Sequence, residues 1–263
     1  QAIAAYGADI VRIAGNYDES VQEAARLAAA HGWQVFADTS YDGYEDIPRD
    51  VMQGYGAIAA EIVEQTSAQR GRAGTFTHVF LQGGVGGMAA GLASYFWEYH
   101  GPQRPRFISV EPAQADCLLQ SAIQGRPAKA TGTVDSVMAG LACGETSPLA
   151  WRFLQPCVDV FMTIEDEQAI EAMRTLAQGS ERDTPIVAGE SGVAGLAALE
   201  WLRSDPQRSE QVGLTAESRV LIISTEGATA PREYTRLVGQ SAEQVLQRQQ
   251  AWQAAHSLQT QPA

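Results

Sequence analysis

The scarcest chemistry in this chain is the primary amine: one lysine, Lys129, stands against 17 arginines. Any mechanism that needs a lysine has a single residue to draw on. Cysteine is almost as rare. Cys117, Cys143 and Cys157 are an odd number in a chain of 263 residues, which argues against a disulfide framework and suits a reducing cytosol. The four histidines (His31, His78, His100, His256) are scattered, and no Cys or His pair has zinc spacing, so metal catalysis has no support. Positive charge is short as well. Acidic residues outnumber basic ones 31 to 18, and a net charge of -13 is the wrong sign for a nucleic-acid binder. No apolar run approaches the ~20 residues of a membrane span. The N-terminus lacks the charged start and apolar stretch of a signal peptide. The expectation is a soluble, cytoplasmic protein that acts on a small molecule, with neither nucleic acid nor membrane as partner. At 45% hydrophobic residues it can bury a substantial core.

Strands and helices alternate through most of the length. Residues 8–13 are β-branched and read as a strand. Val21, Ala24, Ala25 and Ala28 then recur at helical spacing, with Ser20 and Glu23 as a capping box and Gly32 placed to stop the helix. Residues 33–37 return as a strand, 38–48 read as a loop, and a helix follows over about 50–65. Residues 77–81 form the next strand, which runs into Gly83-Gly84-Val85-Gly86-Gly87 and a helix to Tyr99. Residues 107–110 are a further strand ending in Glu111-Pro112, after which the pattern weakens as far as Gln155. Thr163 is placed to cap a helix that turns Ala169, Ile170, Met173, Leu176 and Ala177 inward. Gly189-Glu190-Ser191-Gly192 opens a helix to Leu202, and residues 220–223 are an apolar strand ending in Ser224-Thr225-Glu226-Gly227. The glutamine-rich tail from Gly239 reads as a fraying helix. Continuously apolar strands suit burial on both faces. The predicted fold class is therefore α/β, a mostly parallel sheet with helices on both faces.

Four glycines within five residues, between a strand and a helix, are the most informative local feature. Glycine lets backbone N–H groups approach a ligand with no Cβ in the way. The helix N-terminus behind it offers unpaired donors and partial positive charge. Phosphate is the natural guest, and a tight turn with no ligand is the bland alternative. Gly84-x-Gly86-x-x-Ala89 also satisfies a dinucleotide fingerprint, with Glu111 near the place of a ribose-binding acid. An NAD(P)- or flavin-dependent oxidoreductase stays open on that ground, as does a non-catalytic phosphate-ligand binding module. A Walker loop is excluded, because no Lys-Ser/Thr pair follows the glycines. Gly189-Glu190-Ser191-Gly192-Val193 misses the hydrolase elbow by its last glycine. Cys117 and Cys143 read as buried spectator thiols.

Several stretches, taken in order, resemble one family. Asp38-Thr39-x-x-x-Gly43-Tyr44-x-x-Ile47-Pro48, followed by Met52-Gln53-Gly54-Tyr55, is similar to a segment of the 2,3-diaminopropionate ammonia-lyases. So are Leu81-Gln82-x-Gly84-Val85-Gly86-x-Met88-Ala89, and Val110-Glu111-Pro112 with Ala115-Asp116-Cys117. Met138-Ala139-Gly140-Leu141-Ala142-Cys143-Gly144-Glu145, Gly189-Glu190-Ser191-Gly192 and Ile223-Ser224-Thr225-Glu226-Gly227 complete the set. That family sits among the tryptophan-synthase-like, fold type II enzymes. The resemblance implies pyridoxal 5'-phosphate as cofactor, and β-elimination of 2,3-diaminopropionate to pyruvate and ammonia. It further implies a homodimer and two domains, residues 1–45 being the remainder of a smaller one and 46–263 the larger cofactor-binding one.

The same resemblance implies site roles. Gly83, Gly84, Val85, Gly86, Gly87 and Met88 offer backbone donors to the phosphate, and a hydroxyl of Ser224 or Thr225 meets the pyridine nitrogen. Glu190 flanks the ring, or is simply a helix-start acid favoured by the dipole. Asp38, just past a strand end, is the candidate catalytic acid, with an Asx turn or cap as the alternative. One departure stands out. The family carries its cofactor-linking lysine, and a second acid–base aspartate, in an N-terminal segment ahead of the matched region. Lys129 lies in a polar, loop-like stretch and does not replace it. With Gln1 where a methionine would start, the expectation is an N-terminally truncated lyase or a shortened relative, inactive alone and exposing apolar sheet edges.

Overall fold

The computed structural model describes residues 2–70 and 76–257. The chain divides into two compact units, Gln1–Phe36 and Ala37–Ala263. The first holds α1 (Ala2–Ala5) and α2 (Tyr17–His31). At the start of α2, Asn16 accepts the Glu19 N–H and the Glu19 carboxylate accepts the Asn16 N–H. The capping box is thus one turn earlier than the expected Ser20–Glu23 pair; the Ser20 hydroxyl donates to the Asn16 carbonyl instead. Gly32, left-handed at φ 68°, ends the helix as expected. The segments 8–13 and 33–37 are not strands. A strand exists only where a neighbour meets its N–H and C=O groups. Neither segment joins a strand ladder among the described residues, and Ile10, Val11, Trp33 and Phe36 stay exposed.

Four parallel strands organise the second unit: β1 (His78–Gln82), β2 (Arg106–Pro112), β3 (Val160–Ile164) and β4 (Val220–Ile222), in spatial order β3-β2-β1-β4. Its helices are α3 (Asp46–Gly54), α4 (Gly56–Arg70), α5 (Gly87–His100), α6 (Cys117–Gln124) and α7 (Pro148–Cys157). After these come α8 (Asp166–Gln178), α9 (Ala194–Arg203), α10 (Pro206–Gln211), α11 (Pro231–Val238) and α12 (Ala242–Ser257). The central strand β1 is buried at every residue. Its side chains alternate between two cores. Phe80 packs with Ile108 and Val110 against α8, α9 and α11, whereas Val79 and Leu81 pack with Phe107 against α5, α6 and α7. Helices therefore cover both faces, as the apolar strands implied.

Two boundaries differ from expectation. Thr163 lies inside β3, and the helix after it is capped by Glu165, whose capping box is closed by Gln168. A short apolar run such as Val160–Ile164 cannot be told from helix by periodicity alone. The helix expected over 50–65 is two, α3 and α4. α5 meets α3 at Gly91, where an added methyl would lie 2.4 Å from the Met52 carbonyl oxygen.

Glu111 is fully buried on β2, and its carboxylate accepts the N–H groups of Leu118 at 2.7 Å and Leu119 at 2.8 Å in the first turn of α6. Asp116, in the N-cap position, is occupied elsewhere: it accepts from Thr131 and Gln120. The strand thus caps the helix that follows it. Burial pushes the Glu111 carboxyl up to about 8, against the two N–H donors and the Cys117 thiol, which pull it down. A ribose hydroxyl has no access to this group, so the dinucleotide alternative loses its acid.

Gly91→Ala should destabilise the fold by roughly 1–3 kcal/mol through overpacking, although alanine is about 1 kcal/mol better than glycine inside a helix. Equilibrium urea unfolding measures the net sign. Glu111 generates a pH dependence. The folded protein holds its proton up to about pH 8, whereas the unfolded chain releases it near the ordinary 4.5. The folded state binds more protons in that window, so the contribution to stability falls as pH rises and levels off above it. Relative to Glu111→Gln, the native protein should lose up to about 1.4 kcal/mol per pH unit across the window. A flat difference between the two urea series would mean that the folded carboxylate is ionised throughout.

Candidate active site

β1 and β4 are parallel neighbours paired from His78↔Val220 to Phe80↔Ile222, so their C-terminal ends open side by side. Loops leaving parallel strands at this edge are where open α/β sheets bind ligands. Gly83 still belongs to the sheet: its N–H donates to the Val110 carbonyl at 3.0 Å, so it is not available to a ligand. The chain then turns through Gly84, Val85 and Gly86, the last at φ 100°. Methyl groups added at Gly83, Gly84 and Gly86 would lie 2.5 Å from Leu118 Cδ1, 2.9 Å from Cys143 Sγ and 2.7 Å from Leu154 Cδ1. Any side chain here would push those neighbours aside, and the φ of Gly86 favours glycine outright. On the other side, the N–H groups of Gly84, Val85, Gly86, Gly87 and Met88 meet no acceptor among the described residues. Gly87 and Met88 open α5, so its unpaired first-turn donors and dipole point the same way. These residues fit a phosphate.

Half-buried Asp38 lies beside Gly87; a methyl there would be 3.5 Å from Asp38 Cβ and 3.6 Å from its Oδ2. Its loop is pinned at several points. Tyr41 and Tyr44 bridge across Gly43, which has φ 77°, and their rings stack at 4.7 Å. The Tyr44 hydroxyl accepts the Ala37 N–H at 3.1 Å. Buried Ser40 and Ser147 place their hydroxyls 2.9 Å apart; Ser147 Oγ accepts the Ser40 N–H and Ser40 Oγ accepts the Leu149 N–H. Ser147 in turn donates its N–H to the Val85 carbonyl, tying this loop to the glycine turn. Tyr55 belongs to the same corner: burial, and then the charge of Asp38, push its phenol up.

The far wall comes from three more loops. Buried Gln82 donates from Nε2 to the Ile223 carbonyl at 2.7 Å and to Thr225 Oγ1 at 3.2 Å. Ser224 and Thr225 are exposed, and Ser224 Oγ sits 3.1 Å from where a methyl on Gly192 would be. Glu226 accepts the Ser191 N–H on its carboxylate at 2.7 Å and the Gly189 N–H on its carbonyl at 2.9 Å. Ser191 Oγ accepts the Gly140 N–H at 3.0 Å. Glu190 precedes α9 in the turn rather than on its first turn. Its half-buried carboxyl is pushed up by burial, which outweighs a backbone N–H, with the charges of Glu226 and Glu233 adding.

Sequence reasoning passed over Gln82, Ser191, Glu226 and Tyr55 as site residues. The one signal for Gln82 was a polar residue at the end of an apolar strand, next to the glycines. Lys129 is outside this assembly: its exposed ammonium pairs with Glu145 at 2.5 Å. None of the three buried cysteines forms a disulfide. Cys117 donates to the Gly84 carbonyl at 3.4 Å, and burial pushes its thiol up, which keeps it inert.

The family model for pyridoxal-phosphate dependent enzymes matches residues 1–226. The diaminopropionate ammonia-lyase of Escherichia coli K12 is 40% identical over 240 residues, covering 90% of this chain and 60% of the relative. The crystal structure of the holo form of the Escherichia coli enzyme matches with a TM-score of 0.82, at 40% identity, over 90% of this chain and 59% of that one. Its complex with D-serine matches with a TM-score of 0.81, again at 40% identity and with the same two coverages. The chain therefore spans about 60% of the length of the relatives it matches. Match and architecture agree: this chain belongs to the pyridoxal-phosphate-dependent enzymes and has their fold type II α/β structure.

Proposed function

We propose that this protein serves the β-elimination of 2,3-diaminopropionate to pyruvate and ammonia with pyridoxal phosphate. The observation that carries the reading is one cradle of five unspent N–H donors, Gly84 to Met88, with an acid on one side and hydroxyls on the other. When bound, the cofactor supplies an electron sink for charge at the substrate Cα. The remaining work falls to the chain. The loop donors hold the phosphate and so fix the ring. A hydroxyl of Ser224 or Thr225 donates to the pyridine nitrogen, which leaves that nitrogen unprotonated. Glu190, whose carboxyl is pushed up by burial, flanks the ring. Asp38 moves a proton at the substrate Cα.

The proposal carries with it a homodimer, a cytoplasmic location, and a smaller domain contributed by residues 1–45 beside a larger one from 46. Three buried thiols outside any disulfide suit a reducing compartment. Elimination also needs a lysine at the cofactor, and Lys129 is held at the surface by Glu145. This chain by itself is therefore expected to bind the cofactor without turnover.

Pyridoxal phosphate titrated into the chain should quench tryptophan fluorescence saturably, with inorganic phosphate competing. Borohydride treatment followed by intact-mass measurement should give no adduct that survives Lys129→Arg. Saturable binding of NAD in place of pyridoxal phosphate would overturn the reading in favour of an oxidoreductase. In protein that supplies the cofactor-linking lysine, Asp38→Asn should lower kcat for pyruvate release by about 10²–10⁴, the range for a general acid–base group. Cofactor affinity should hold. An unchanged kcat would return Asp38 to the role of a loop cap.

A further inference from the structure

We infer that Gln82, acting through the Ile223 carbonyl and the Thr225 hydroxyl, is a positioning residue that presents Ser224 as the hydroxyl facing the cofactor's ring nitrogen. The inference rests on the cofactor reading above and resolves a choice that reading leaves open.

The ladder between β1 and β4 has its last pair at Phe80↔Ile222. Beyond that pair the Gln82 side chain takes over, bonding Ile223 at 2.7 Å and Thr225 at 3.2 Å. The Ile223 carbonyl can only accept, so it fixes which end of the amide faces it: exchanging the two ends would set oxygen against oxygen. The amide nitrogen therefore donates to both partners. Thr225 is held against β1 by that bond. The neighbouring Ser224 side chain does not share that contact. It turns toward Gly192, where the missing side chain leaves room beside its Oγ, in the loop that also carries Glu190. Gln82 Oε1 is buried and meets no donor among the described residues. An apolar side chain of similar size would avoid that orphaned acceptor, so packing alone does not account for a glutamine here.

The test is the protonation of the cofactor's ring nitrogen, followed by ¹⁵N NMR of ring-labelled pyridoxal phosphate bound to the full chain. In the native protein the ring nitrogen should titrate about one pKa unit below the free cofactor, the worth of one hydrogen bond. Ser224→Ala should abolish that shift. Gln82→Met and Thr225→Val should each return most of it while pyridoxal phosphate affinity, set by the glycine loop, stays near native. Thr225→Ser should restore the native titration. Thr225 is exposed, so its variants decide the matter even where Gln82→Met fails to fold. Native titration in both Gln82→Met and Thr225→Val would overturn the positioning role. A shift lost in Thr225→Val but kept in Ser224→Ala would make Thr225 the ring's partner and overturn it equally. Failure of the native chain to bind pyridoxal phosphate would overturn the cofactor reading, and this inference with it.

Discussion

Everything in the larger unit depends on β1 being the inner strand of a parallel sheet. It is bonded to β2 on one edge and β4 on the other, and buried along all five residues. That pairing spends its backbone groups up to Gly83, whose N–H still reaches Val110. One residue later the sheet stops and the donors go unspent. The cradle of unspent donors is therefore a boundary effect. It lies where strand bonding has ended and helix bonding in α5 has not begun, because the first turn of a helix leaves its N–H groups without internal partners. Glycine there lets Leu118, Cys143 and Leu154 close in from behind.

The rest of the site is held by polar groups that other parts of the fold would otherwise have to leave unsatisfied. Ser40 and Ser147 are buried, yet they satisfy each other and two backbone N–H groups, and in doing so bring Asp38 to the start of α5. Glu226 does the same for the 189–192 turn. Glu111 and Glu190 are two acids in different surroundings. Glu111 is fully buried, with its carboxylate spent on the N–H groups of Leu118 and Leu119. Glu190 is only half-buried and lies in a loop of the site wall. Both are pushed up chiefly by burial, so the direction of a shift does not separate the roles; the surroundings do.

Local features were legible in the sequence where local rules decide them. The glycine turn, the Gly32 stop and the inward face of α8 at Ala169, Met173 and Ala177 are of this kind. Residues 8–13 and 33–37 have the composition of strands, but strand formation is decided by a partner elsewhere in space, and no residue pattern reveals whether one is present. The cap of α6 could not be read either, because Glu111 reaches it from β2 rather than from the flanking sequence. Gln82 and Ser147 look ordinary in the chain. Their importance comes from tertiary bonds to Thr225 and Ser40, which lie 143 and 107 residues away.

The charge balance bears on how the cradle can work. A chain with net charge -13 repels an anion at long range. The residues assembled here answer with neutral donors: backbone N–H groups, hydroxyls and the end of a helix. No lysine is among them, since the one lysine is paired with Glu145 at the surface. Neutral donors lose little when salt screens charge, because their bonds are short-ranged and enclosed. They also add no cation that would compete for the carboxylates of Asp38 and Glu190. A lysine or arginine at the loop would bind phosphate more strongly as a point charge, but would set a cation beside both carboxyl groups. A cradle built from backbone donors keeps such a cation out of that corner.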